Sequence, residues 1–83
     1  MGEDTAAPTD EEVVETAAEA AEDLVFARID RSDVDDLDVT VTFEDGILEL
    51  DVYINAESAR EDSEQVAEDA VLAARAAVDD LLE

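Results

Sequence analysis

The sequence predicts a small α+β domain in the order helix, antiparallel β-hairpin, helix, with both helices packed on one face of the hairpin. Three observations predict it. Apolar residues recur at helical spacing near both ends, they alternate through the centre, and an Asp45-Gly46 dipeptide divides the alternating stretch in two.

Residues 1–8 are small and acidic and read as a disordered tail, which leaves 9–83 as a single domain. Thr9 followed by Glu12 matches a capping box, and Asp10 and Glu11 favour the positive end of a helix dipole. At helical angles Val13, Val14, Ala17, Ala21, Leu24 and Val25 share one face, while Glu11, Glu12, Glu15, Glu19, Glu22 and Asp23 share the other. Phe26 and Ile29 fall off the apolar stripe. The helix is therefore expected to end or turn near Ala27, so that both side chains tuck against what lies beneath.

Asp30 to Asp36 is an acidic connector, with one helical turn expected from Ser32 or Asp33. The period then becomes two. Leu37, Val39, Val41 and Phe43 alternate with polar residues, as do Leu48, Leu50, Val52 and Ile54. Asp-Gly between such runs signals a two-residue type I′ turn, in which both central residues take positive φ. That turn sets Phe43 opposite Leu48, Val41 opposite Leu50, Val39 opposite Val52 and Leu37 opposite Ile54, so all these apolar residues share one face.

A second helix is expected from between Ser58 and Ser63 to about Leu82. Ala67, Ala70, Ala74, Ala77 and Leu81 form its stripe, flanked by Val66, Val71 and Val78. So small a stripe fits core against the hairpin better than a dimer seam, because it spans too few heptads for a coiled coil. Arg75 and Asp79 are spaced for an i, i+4 pair.

The chain has 27 Asp plus Glu against 4 basic residues, all Arg, for a formal charge of -23. Self-repulsion of that size suits a salt-rich medium, where screening shortens the reach of each charge, and the acidic surface would then hold hydrated cations non-specifically. Nucleic-acid mimicry, a chaperone role for a basic partner and cation buffering are the rival readings of the charge. Direct contact with nucleic acid or an anionic membrane is not expected. No apolar run is long enough to span a bilayer and the N-terminus has no secretory pattern, which points to the cytoplasm.

With no His, Cys or Lys, the usual general bases, thiol and amine nucleophiles and nitrogen or sulfur metal ligands are missing, so no enzyme activity and no cofactor are expected. The carboxylates Asp30, Asp33, Asp35, Asp36 and Asp38 raise a calcium reading. A calcium loop starting at Asp33 would place Leu37 and Asp38 where a ligand and the turning glycine belong, so no metal site is assigned.

The expectation is function by association. A two-stranded hairpin is marginal alone, and covering one face leaves its edges and outer face open. Candidate partner-binding residues are Ile47, Glu49, Asp51 and Tyr53 on the second strand, Thr40 and Thr42 beside them, and Leu72 on the second helix. The strand from Ile47 to Ile54 is expected to extend the sheet across a hetero- or homodimer interface.

Leu37 to Phe43, Asp45-Gly46 and Ile47 to Ile54 between two helices resemble a small archaeal family of unknown function, over about Thr9 to Leu82. The same order is similar to the small dimerisation subunit of the KEOPS complex, which makes the threonylcarbamoyl modification of tRNA adenosine. That family runs strand, helix, strand, strand, helix. The resemblance implies a non-catalytic paralogue that lacks the first strand, leaves its place beside Ile47 to Ile54 open, and pairs with the dimerisation subunit. β-type prefoldins also run helix, hairpin, helix, though with longer helical arms, and a free-standing acidic homodimer is the other alternative.

Overall fold

The structure, a computed structural model, describes residues 8–83, so the expected acidic tail lies outside the described residues except for Pro8. Helix α1 spans Asp10–Arg28. Both halves of its capping box form: Glu12 N–H donates to Thr9 Oγ1 and Thr9 N–H donates to Glu12 Oε1, each at 3.1 Å. The helix ends where Ile29 turns extended (φ -125, ψ 130), while its N–H still donates to the Val25 carbonyl at 2.8 Å. A single 3-10 turn, Arg31–Asp33, follows in the acidic connector.

Strands β1 (Asp36–Glu44) and β2 (Ile47–Asn55) pair antiparallel in the expected register, with Phe43 opposite Leu48 and Leu37 opposite Ile54. The turn geometry has the cause the sequence suggests: Asp45 has φ 53 and Gly46 φ 78, the left-handed values a type I′ turn needs. Helix α2 spans Ser63–Leu82 and is capped by Asp62, whose Oδ1 accepts from Glu64 N–H at 3.0 Å.

The innermost packing is made by two matching rows. Val13, Ala17, Ala21 and Val25 on α1 and Val66, Ala70, Ala74 and Val78 on α2 are all buried. Each row is Val, Ala, Ala, Val at four-residue intervals, the spacing of the ridges by which helices interlock. Alanines in the middle of each row are small enough to let the helices approach closely. Arg28 at the end of α1 meets Glu61, just ahead of α2, and Asp69 in the second turn of α2, so the helices run antiparallel.

This corrects the stripe expected on α2. Its axis runs through Val66 and Val78, whereas Ala67, Ala77 and Leu81 are half-buried flanks. A four-residue row fits ridge packing, whereas the expected stripe alternates intervals of three and four. The connectors, 29–35 and 56–62, are equal in length, so the halves on either side of the turn are near-equivalents.

The eight apolar hairpin residues do share the face that meets the helices, α1 lying on β1 and α2 on β2. Only Ile54, at 7% exposure, is buried; the other seven are half-buried. Alanine-rich helices give a thin cover. Ile29 tucks into the core as expected, at 2% exposure, and Phe26 is half-buried with the Arg31 guanidinium 4.3 Å above its ring. Asp35 ties the connectors together. Its N–H donates to the Asn55 carbonyl at 2.7 Å and its Oδ2 accepts from Glu57 N–H at 3.4 Å.

Candidate protein-interaction surface

Among the described residues the sheet has two strands, so each strand keeps one edge without a neighbour. The register decides which backbone groups those edges present. A two-residue turn makes Glu44 and Ile47 a hydrogen-bonded pair, and such pairs alternate with non-bonded ones. The outward residues therefore bond across the hairpin. The N–H and C=O groups of the inward residues, Leu48, Leu50, Val52 and Ile54 on β2, point to the open edge.

The sequence-predicted residues fall into one patch and one outlier. Thr40 pairs with Asp51 and Thr42 with Glu49 on the outer face, and Thr42 Oγ1 lies 3.4 Å from Glu49 Oε1. Ile47 and Tyr53 bracket Glu49 and Asp51 on β2 and are 63% and 56% exposed. Leu72, 63% exposed, stands on α2 well away from the buried row and does not line the groove that gathers Thr40, Thr42, Glu49 and Asp51.

That groove also contains Leu48, Leu50 and Arg75, none of which was expected there. Arg75 lies one residue past the buried Ala74, a 100° step around α2 that turns it toward β2. The expected Arg75–Asp79 pair is not among the ion pairs of the described residues. The other three arginines, Arg28, Arg31 and Arg60, line or border the connectors at the opposite end from the turn. Leu48 and Leu50 were legible in principle, because the turn type and register together dictate which strand residues address the edges.

Among the described residues no group of three or more acidic side chains could hold a metal ion, and no helix is long and apolar enough to cross a membrane. The patch can offer backbone hydrogen bonds, apolar surface and negative charge.

Residues 9–81 match the model of a family described as a protein of unknown function, DUF3194. The chain belongs to this family. It is also similar to an uncharacterised protein of the archaeon Natronomonas pharaonis, 49% identical over 81 residues that make up 98% of this chain and 96% of that protein. No solved structure matches. The small archaeal family of unknown function indicated by the helix, hairpin and helix order is thus found at the level of DUF3194.

Proposed function

We propose that this DUF3194 chain is a non-catalytic protein-interaction subunit, and specifically an accessory subunit of the archaeal KEOPS complex that pairs with its dimerisation subunit. The observation that carries the association reading is the two-stranded sheet, with an open edge on each strand and seven of its eight inner apolar residues only half-buried among the described residues. A sheet this narrow gains stability from an added strand, and edges left open invite pairing. The KEOPS assignment rests on the resemblance in element order. No strand precedes α1 among the described residues, whereas dimerisation subunits have one at that place.

The packing of α1 on α2 and on the hairpin favours this reading over a prefoldin-like one, because the helices are held against the sheet rather than projecting as arms. The test is affinity capture of the full chain from a haloarchaeal extract kept in molar potassium chloride. Recovery of the KEOPS dimerisation subunit at equal stoichiometry is expected. Recovery without any KEOPS component overturns the assignment.

A further inference from the structure

The two open edges are not chemically equivalent, and the difference specifies a partner. Along β2 the outward row reads Ile47, Glu49, Asp51, Tyr53, two neighbouring carboxylates between two apolar ends, all exposed. Beneath it, half-exposed Leu48 and Leu50 share their groove with Arg75, the one cation of α2. Along β1 the outward row reads Asp38, Thr40, Thr42, Glu44, with hydroxyls at the centre and carboxylates at the ends. The α1 position matching Arg75, one residue past buried Ala21, holds Glu22. Only the β2 side therefore combines a central negative pair, apolar ends and a cation on the flanking helix.

Resting on the association reading above, we propose that the β2 edge takes an extended strand from a different protein. That strand carries two basic residues, at positions i and i+2, on its outer side against Glu49 and Asp51. On its helix side it carries apolar residues over Leu48 and Leu50, with a carboxylate where it passes Arg75. Its backbone bonds to the edge-directed groups of Leu48, Leu50 and Val52, so affinity comes from the ladder and selection from the alternating side chains. A second copy of this chain does not meet these requirements. Neither of its strands carries a basic residue to set against Glu49 and Asp51, and the two-fold registers centred on Asp51 and on Leu50 place carboxylates against one another. Like charges directly opposite destabilise a strand pair, and a charge of -23 on each copy opposes their encounter.

The test uses two synthetic strand peptides of about ten residues with the same apolar alternation, one with Lys and one with Glu at the two outer positions. Each is titrated into the isotope-labelled full chain in molar potassium chloride. The Lys peptide is expected to bind at least about tenfold tighter than the Glu peptide. It should slow amide exchange at Leu48, Leu50 and Val52 and leave Val39 and Val41 unchanged. Glu49→Lys with Asp51→Lys should reverse the preference, whereas Asp38→Lys with Glu44→Lys, the same change of charge on β1, should leave it intact. Equal affinity for the two peptides, protection confined to β1, or no binding of the Lys peptide overturns the proposal. The two readings fail separately: a partner captured equally well by the Glu49→Lys, Asp51→Lys variant removes the β2 assignment and leaves association standing, while capture of no partner removes association itself.

Discussion

Arg28, the last residue of α1, donates through Nη1 to Glu61 Oε1 at 3.2 Å and through Nη2 to Asp69, so one side chain closes the gap between the end of the first helix and the start of the second. Asp69 is held in turn by Gln65, whose Nε2 donates to its other oxygen at 3.1 Å. The cation also sits at the negative end of α1. All three charged side chains are partly exposed, so the contribution is modest. Arg28→Ala should lower stability by about 0.5 to 1 kcal/mol at low salt and by less in molar salt, where surface pairs are screened. Urea unfolding of both proteins at the two ionic strengths measures this; an equal loss at both would mean that packing of the arginine stem, and not charge, carries the effect.

The hairpin turn gives a second prediction. Gly46 has φ 78, and a Cβ there would meet no atom within 4 Å, so any penalty for a side chain comes from the backbone alone. Gly46→Ala should destabilise by about 1 kcal/mol, and Gly46→Asn by less, because asparagine tolerates the left-handed region. Thermal unfolding ranks the variants, and an alanine variant as stable as the parent would contradict the turn geometry.

The alanine rows make the helix interface intolerant of volume. Ala74 is fully buried opposite α1, so Ala74→Leu forces extra methylenes into a filled space and should cost about 1 to 3 kcal/mol. Ala76 on the same helix is exposed, and Ala76→Leu should change stability by less than about 0.5 kcal/mol. Denaturant midpoints distinguish them. Equal effects would mean that Ala74 does not lie at the crossing.

Legibility in the sequence followed the strength of local constraint. Thr9 with Glu12 and Asp45-Gly46 each fix backbone geometry through short-range chemistry, so the first cap, the turn and the whole register could be read directly. Periodicity alone places the α2 stripe on Ala67 and Ala77, because a helical pattern tolerates a rotation of this size. Only the opposing valines of α1 select the row through Val66 and Val78. Candidate residues on the outer face were legible as alternation. Arg75 was not, because its place beside β2 depends on how α2 is rolled on the sheet, a tertiary fact without a local signature. Leu72 was legible as an exposed apolar residue, and nothing in its surroundings joins it to the strand patch.

The dominant electrostatic term acts on the whole fold. The chain carries a charge of -23, and among the described residues no polar or charged residue is buried, so their carboxylates crowd the surface and repel one another more strongly when the chain folds. Raising potassium chloride from about 0.1 M to about 1 M shortens the Debye length from about 10 Å to about 3 Å, which relieves that repulsion while slightly weakening the Arg28 pairs. The first effect involves far more charges than the second. Salt should therefore stabilise the domain, with the unfolding midpoint rising by about 10 °C across that range, equivalent to about 1 to 2.5 kcal/mol for a chain of this size. Circular dichroism melts at a series of salt concentrations measure the shift. Equal concentrations of a neutral osmolyte should not reproduce it if screening is the cause, and a midpoint independent of salt would remove the electrostatic account of this surface.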